Sequence, residues 1–425
     1  MRSTANVKLV KLDNGSTIIF EKKSDTRTVS LAFAAKVGSA YEDSQLSGIS
    51  HFIEHALFKG TKKRSAYEIK EPIERVGGTL NAYTGRISTV FYAHVPDTHA
   101  KEALEILYDM VKNPAFSKEA VEIEKEVILE EIAATHDDPF DMIYDHTIRE
   151  IWDPNYGRSI LGSLETVRKI TPEALRKFHN RYYSAEHMVF AISGNFNESI
   201  IERAEELLRS FSRNGSTPTR IEGYMKPKRL VSLETKKDLN QVHLLLSKPA
   251  PSRLSKDFVA FRIFNVLFGS GMSSVLFHNI REKLGMVYHI DSEYVAYHDF
   301  GTFFISASTN ERHIQRLVDS VRFELERLAK EGVSENEYLY GKERLKGKIM
   351  LATESTLNSL SLYLDEVIIN GKPKTVEEII SEINYLSLGK LNEVIERYLS
   401  GDWNISLLVP EDLQEIDPVK LSFSI

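Results

Sequence analysis

Apolar residues alternate with polar residues in some parts of the chain and recur every three or four positions in others. Alternation predicts strands, and the longer spacing predicts amphipathic helices. From Thr28 to Val37, for example, Val29, Leu31 and Phe33 fall on one strand face. In the first half, the pattern predicts strands at 28–37, 79–84, 89–95 and 187–194, and helices at 44–59, 65–76, 100–111, 118–134 and from Thr171.

The stretch from Ser212 to Lys228 is polar, rich in Gly, Pro and Ser, and weakly periodic, which is typical of a linker. After it, a similar order of elements resumes: a strand at 241–247, helices at 257–268 and 273–283, strands at 287–297 and 301–308, and then helices. This order predicts an α+β protein of two similar domains, at residues 1–215 and 225–425. We expect each domain to be a mainly antiparallel sheet packed with helices.

Composition and charge narrow the class of protein. The 425 residues are 42% hydrophobic and 27% charged, which is the composition of a soluble globular protein. The net charge of −7 and the lack of a basic run argue against nucleic acid and anionic membranes as partners. No apolar stretch is long enough to span a bilayer and no secretory signal is evident, so we expect a cytoplasmic protein with no membrane partner. The chain has no cysteine, so any zinc must be bound by His, Asp or Glu.

The segment His51-Phe52-Ile53-Glu54-His55 lies in the predicted helix at 44–59. His51 and His55 are four positions apart and share a helix face, so their imidazoles can bind one ion. Glu54 projects near that ion, where a carboxylate can take a proton from a water molecule. His-x-x-Glu-His is the inverted form of a zinc-peptidase motif. The segment therefore predicts a zinc site with Glu54 as the general base.

Two histidines leave zinc one protein ligand short. The predicted helix at 118–134 is rich in glutamate, and its Glu124 and Glu131 are seven positions apart, on one face. We expect Glu131 to be the third ligand and Glu124 to orient a histidine or the water. Glu126 and Glu130 are rival candidates, because spacing alone does not choose among carboxylates on one helix.

Six segments spread over nearly the whole chain carry further motifs. They are LDNG (Leu12 to Gly15), GSxxE (Gly38 to Glu42), GISHFIEHALFKGT (Gly48 to Thr61), GGTLNAYT (Gly77 to Thr84), EKEVILEEI with Asp137-Asp138-Pro139, and REKLGMVY (Arg281 to Tyr288). Together they resemble the pitrilysin/insulinase family of zinc metallopeptidases, in particular its short-chain branch, which includes the mitochondrial processing peptidase and bacterial relatives. The resemblance implies that His51, His55 and Glu131 bind one zinc ion per chain, that Glu54 activates water, and that Glu124 is a supporting carboxylate.

The same resemblance implies roles for four residues outside the metal segment. Asn81 and Ala82 correspond to an edge strand on which substrate peptides lie, as a strand added through main-chain hydrogen bonds. Arg281 and Tyr288 correspond to a cation and a phenol that reach the zinc site and stabilise the oxyanion. The chain departs from the family at Ala56, where methionine is common, and at Ile87, where glutamate is common; these departures bear on substrate preference.

A chain of this length supplies, by the resemblance, half of a clamshell chamber. We expect a homodimer to close around peptides or unfolded segments, with Arg281 and Tyr288 serving the zinc of the partner; a heterodimer with an inactive partner is the alternative. Three other functions stay open: a non-catalytic subunit of this fold, a zinc hydrolase of a non-peptide substrate, and a structural protein with incidental histidines.

Overall fold

The computed structural model describes residues 7–213, 220–226, 229–413 and 416–425. Much of the predicted linker, at 214–219 and 227–228, lies outside the described residues. The chain forms two compact units. The first contains the residues up to Ala134 with Arg158–Ile221 and Leu351–Val376. The second contains Thr135–Gly157, Glu222–Met350 and Glu377–Ile425.

The described elements, in chain order, fall into two series. Up to residue 213 they are β1 (Val7–Lys11), β2 (Thr17–Lys22), β3 (Thr28–Ala35), α1 (Ile49–Leu57), α2 (Ala66–Glu74), β4 (Thr79–Thr84), β5 (Thr89–Pro96), α3 (Ala100–Lys112), α4 (Lys118–Asp137), α5 (Pro139–Ile151), α6 (Leu164–Lys169), α7 (Pro172–Tyr182), β6 (Met188–Gly194) and α8 (Glu198–Arg209). From residue 231 they are β7 (Val231–Lys236), β8 (Val242–Ala250), α9 (Phe258–Phe268), β9 (Val287–Ala296), β10 (Gly301–Thr309), α10 (Ile314–Glu331), α11 (Glu335–Ala352), α12 (Thr356–Asn370), α13 (Val376–Tyr385), α14 (Leu388–Leu399), β11 (Asn404–Pro410) and α15 (Pro418–Leu421).

The sheet of the first unit has six described strands in the order β1-β2-β6-β3-β5-β4. Only the β2–β6 pair of this sheet is parallel. The side chains of β3 alternate between the two faces, as the strand period of two requires. Leu31 and Phe33 enter a large core with α1, α3, α7 and α8, whereas Ala32 and Ala34 contact α12 on the other face. Helices therefore cover both faces of β3, which accounts for its almost continuous run of apolar residues.

The sheet of the second unit has five described strands in the order β7-β11-β8-β10-β9, with β7–β11 as its parallel pair. This is the strand order and pairing of β2-β6-β3-β5-β4 in the first unit. The prediction of two similar α+β domains with mainly antiparallel sheets is therefore confirmed.

The compact units do not follow a single division of the chain near residues 215–225. By position between matching strands, α5 in the first half corresponds to α12 in the second half. Yet α5 packs on β8 and β11 in the second unit, and α12 packs on β2, β3 and β6 in the first. The two halves thus exchange corresponding helices. The division into domains at 1–215 and 225–425 therefore stays a prediction.

The segment from Ser273 to Lys283 differs from the amphipathic helix that its pattern predicts. It contains a π-helical stretch, Phe277–Glu282, in which the N–H of Lys283 bonds to the carbonyl of His278, five residues earlier. Such wide turns are rare and short. The recurrence of apolar residues every three or four positions therefore does not reveal them. Among the helices of the described residues, none is long and apolar enough to cross a membrane.

Candidate metal centre

Helix α1 presents the segment His51-Phe52-Ile53-Glu54-His55 with its apolar side turned into the core. Phe52 and Ile53 are fully buried, and the histidines and Glu54 point away from them. The helix begins after Gly48, whose φ of +94° favours glycine and whose Cβ, if present, would lie 2.5 Å from the Leu161 carbonyl oxygen. Gly48 therefore suits the start of α1, and burial of Phe52 and Ile53 is consistent with the spacing of apolar residues along the helix.

The N-terminus of α1 is capped by a carboxylate from outside the helix. Gly48 offers no side chain, and the buried Glu42 accepts hydrogen bonds from the N–H groups of Gly48 and Ser50, both at 2.8 Å. A negative charge at this end is favoured by the orphan N–H groups and the helix dipole. Burial nevertheless raises the pKa of Glu42 to about 7, against the lowering effect of these hydrogen bonds and of Arg158.

His51, His55 and Glu131 converge at one point of the first unit. The Oε2 atom of Glu131, on α4, lies 3.6 Å from Nε2 of His51 and 3.5 Å from Nε2 of His55. One ligand atom from each residue lies within 4.8 Å of the other two. Among the described residues, this group fits a metal ion, and the exposed Glu126 and Glu130 are not part of it.

These three residues fit zinc by the chemistry of their donors and by their spacing. Separations of 3.5 to 3.6 Å are too long for good hydrogen bonds. Two ligands of one tetrahedral zinc ion stand about 3.4 Å apart, so the same separations suit atoms that share an ion. Two imidazole nitrogens and one carboxylate oxygen also leave a fourth position for water or substrate, as catalytic zinc requires.

Burial holds His51 in the neutral form that binds metal, and a neighbouring carboxylate orients His55. Burial, with a smaller effect of His55, lowers the pKa of His51 to about 3. Nδ1 of His55 lies 3.1 Å from Oε2 of Glu124, a residue only 2% exposed. Since a carboxylate can only accept, Nδ1 of His55 donates to it and leaves the Nε2 lone pair free for an ion. Lys59 forms an ion pair with the other oxygen of Glu124 and keeps that carboxylate in place.

Glu54, which is half-buried, directly precedes His55 on α1 and contacts the last residue of β4. Its Oε2 atom accepts a hydrogen bond of 2.5 Å from the Thr84 hydroxyl. Burial raises the pKa of Glu54, and the Thr84 hydrogen bond and His55 oppose this rise. A carboxylate next to the ligand cluster, partly shielded from solvent, has the surroundings of a general base.

The predicted substrate residues lie on β4, which is the edge strand of the first sheet among the described strands. Asn81 pairs with Tyr92 of β5, and Ala82 pairs with Phe91. Asn81 is exposed, and its Oδ1 accepts from the Ala82 N–H at 2.8 Å. Because β4 also contacts α1, a strand edge that none of the described strands occupies lies beside the helix that bears Glu54.

Arg281 and Tyr288 are brought together in the second unit. The guanidinium of Arg281 lies 5.1 Å from the ring centre of Tyr288 and 4.6 Å from that of Phe277. Tyr288, at the start of β9, is 78% exposed. The phenol and the cation therefore form a stacked pair on the surface of their own unit.

Sequence reasoning missed Glu42, Lys59 and Thr84 as supports of this site. A signal existed for Thr84, because Leu80, Ala82 and Thr84 share one strand face next to α1 and Thr84 is its polar member. Glu42 and Lys59 lie within two of the quoted motifs, but no local pattern indicates the groups that they contact in the folded chain.

Two family models match the chain, one in each half. The model described as "Insulinase (Peptidase family M16)" matches residues 17–163, which include every residue of the cluster and Glu54. The model described as "Peptidase M16 inactive domain" matches residues 169–345, which include Arg281 and Tyr288.

Similar proteins cover almost the full chain. An uncharacterized zinc protease of Bacillus subtilis is 32% identical over 406 residues, which are 95% of this chain and 98% of that protein. An uncharacterized zinc protease of Rickettsia bellii is also 32% identical, over 96% of this chain and 98% of that protein.

Solved structures share the fold. A protease from Helicobacter pylori has a TM-score of 0.86 at 22% identity, over 95% of this chain and 99% of its own. A peptidase M16 inactive domain from Pseudomonas fluorescens has a TM-score of 0.88 at 19% identity, over 97% of this chain and 100% of its own. Two matching family models, together with 32% identity to a bacterial zinc protease over 95% of this chain, show the family. The chain belongs to the insulinase family of peptidases, peptidase family M16.

Proposed function

We propose that this chain is a zinc-dependent endopeptidase that hydrolyses peptides or unfolded protein segments. The observation that carries this proposal is the convergence of His51, His55 and Glu131 with Glu54 on the same helix as the two histidines. The names of the relatives, which are called zinc proteases, support the same reaction and metal.

The residues of the site divide the chemistry among them. When bound by His51, His55 and Glu131, zinc would lower the pKa of a water molecule and polarise the scissile carbonyl. Glu54 takes a proton from the attacking water and delivers it to the leaving amine. Glu124 keeps His55 in the required tautomer and orientation throughout.

The free edge of β4 supports a peptide as the substrate. An extended peptide that adds to this edge makes main-chain hydrogen bonds, which require no particular sequence. Asn81 and Ala82 are the residues of β4 that we assign to this contact. A closed chamber would exclude folded proteins, so we propose peptides or unfolded segments as the substrates.

We assign Arg281 and Tyr288 to the stabilisation of the oxyanion, on the basis of the family resemblance and of their stacking. A phenol and a guanidinium can both donate hydrogen bonds to a developing negative charge. We propose that two chains close a chamber around the peptide, so that this pair serves the zinc site of the partner chain in a homodimer. A heterodimer with an inactive partner is the alternative assembly.

Mixed dimers test whether the site is completed by a second chain. A Glu54→Gln chain lacks the base and a Tyr288→Phe chain lacks the phenol, so each alone should be impaired. After the two are mixed and mixed dimers are confirmed by mass, a site with both intact groups forms only if Tyr288 acts in trans. Recovery of part of the wild-type rate supports this arrangement; no recovery in confirmed mixed dimers refutes it.

Metal dependence tests the proposed reaction. Purified protein should contain zinc and cleave an unfolded test protein, lose both with a chelator, and recover both with added zinc. The double variant His51→Ala, His55→Ala should retain neither property, whereas His136→Ala, which removes an exposed histidine of α4, should retain both. Unchanged zinc content in the double variant would remove the proposed metal centre.

One observation favours a second candidate function, that of a non-catalytic subunit. The model that matches residues 169–345 is described as an inactive domain. The ligand cluster lies outside that segment, within residues 17–163. A purified chain that binds zinc but cleaves peptides only after another subunit is added would favour this second function.

A further inference from the structure

A hydrogen bond joins the last residue of the edge strand to the base. The hydroxyl of Thr84, the final residue of β4, donates to Oε2 of Glu54 on α1 at 2.5 Å. We propose that Thr84 is a positioning residue that sets the orientation of the Glu54 carboxylate for proton transfer. This inference rests on the proposed role of Glu54 as general base.

The Glu54 carboxylate needs a hydrogen-bond partner to fix its orientation, because its side chain is long and flexible. A glutamate has three rotatable side-chain bonds, and its freedom is lost only when a partner fixes the carboxylate. His55 is fixed by Glu124 through its ring nitrogen. Within the described part of the chain, the hydrogen bond that the Glu54 carboxylate accepts comes from Thr84.

The geometry of Thr84 makes it a rigid donor. Its backbone is held by pairing with Thr89 of β5 at the end of the ladder. Its branched Cβ restricts rotation of the hydroxyl about the first side-chain bond. Leu80 and Ala82, on the same face of β4, pack against the core that contains α1, so this face of the strand is directed at the helix.

Two consequences follow for the reaction. With Oε2 held by Thr84, the Oε1 atom of Glu54 is left to accept a proton from water. Strand β4, which we assign to substrate binding, also holds the Glu54 carboxylate. A peptide added to β4 and this carboxylate are therefore positioned by the same strand. A positioned base contributes to the rate only while its distance and direction to the water are kept.

A set of three variants tests the role in the zinc-loaded enzyme. Thr84→Val keeps the shape of the side chain and removes the hydroxyl. We expect kcat to fall about 10- to 100-fold, the range for loss of a hydrogen bond to a charged group, with KM and zinc content unchanged. Thr84→Ser, which keeps the hydroxyl, should recover most of kcat. Thr98→Val, which changes an exposed threonine beyond β5, should behave as wild type.

The kcat, KM and zinc content of these variants decide whether Thr84 positions the Glu54 carboxylate. A Thr84→Val enzyme with kcat within twofold of wild type overturns the inference. So does a Thr84→Ser enzyme that is as slow as Thr84→Val, because the hydroxyl is then irrelevant. A rise in KM or a loss of zinc in place of the fall in kcat assigns Thr84 a different, structural role.

A second measurement does not depend on activity. In chelator-treated protein, the shift in thermal midpoint caused by Thr84→Val is compared in the wild-type and Glu54→Ala backgrounds. If the two side chains interact, the shift in the Glu54→Ala background should be less than half as large. Equal shifts overturn the contact. An inactive wild-type enzyme would contradict the proposed peptidase function, and this cycle would still decide the contact.

Discussion

Glu131 is distinguished from the neighbouring glutamates of α4 by the direction of its side chain. The spacing of glutamates along α4 left Glu126 and Glu130 as rival candidates for the third zinc ligand, because these residues all lie on one helix. The choice among them depends on how α4 is rotated against α1, which is a property of core packing. The distances from Glu131 to the two histidines resolve it in favour of Glu131 as the third member of the cluster.

We predict that Glu131→Gln weakens zinc binding far more than Glu130→Gln. An amide is a poor replacement for a ligating carboxylate, whereas the exposed Glu130 lies outside the cluster. The loss should exceed the 10- to 100-fold typical of changes in the groups that only orient ligands. Zinc affinity measured by competition with a chromophoric chelator tests this ranking, and the reverse ranking would move the ligand assignment to Glu130.

At the scale of elements, α1 depends on a cap that its own sequence does not contain. Strands β3, β4 and β5 and the starts of α2 and α7 follow from local patterns, since Ser65 and Thr171 act as the N-caps that their positions predict. Local patterns do not predict that Glu42 reaches the N-terminus of α1 from before the helix. The buried carboxylate contributes to stability in a way that depends on pH.

We predict that the stability contributed by Glu42 decreases as pH rises towards neutrality. Burial raises its pKa in the folded state to about 7 from an ordinary value of 4.5. The folded state therefore binds the proton more tightly than the unfolded state. The contribution is fully present below pH 4.5 and is lost as pH rises through 7, with a total change of about 3 kcal/mol.

The measurement is the free energy of unfolding of chelator-treated protein between pH 5 and 8. The advantage of wild type over Glu42→Gln should shrink across this range. A control variant, Glu74→Gln, replaces an exposed glutamate of α2. Curves for wild type and Glu42→Gln that stay parallel from pH 5 to 8 would contradict a raised pKa of Glu42 in the folded protein.

At the scale of the molecule, the first unit is completed by a helix from the second half of the chain. Leu360 and Leu364 of α12 pack on the sheet face opposite to α1, and Tyr363 donates a hydrogen bond to the buried Glu21 at 3.2 Å. The repeated order of elements predicted two similar domains. It did not predict the exchange of α5 and α12, because the partner of an apolar helix face cannot be read from its own sequence.

We predict that Leu364→Ala destabilises the unit that contains the zinc ligands, although residue 364 lies 233 positions after Glu131 in the chain. Leu364 is fully buried, and removal of such a side chain typically costs about 2–5 kcal/mol. Leu351→Ala is the matched control, because Leu351 is 77% exposed. Hydrogen exchange of amides in β3 and β6 reports on this unit; equal exchange in the two variants would contradict the role of α12.

Hydrolysis of an unfolded protein by wild type and Glu54→Gln, with zinc measured on the same samples, tests the central claim most directly. We predict equal zinc content, because Glu54 is outside the ligand cluster, and a rate lower by about 10²–10⁴-fold in the variant, the range for loss of general acid–base catalysis. Zinc-loaded wild type that cleaves nothing, or a Glu54→Gln chain that cleaves at the wild-type rate, would contradict it.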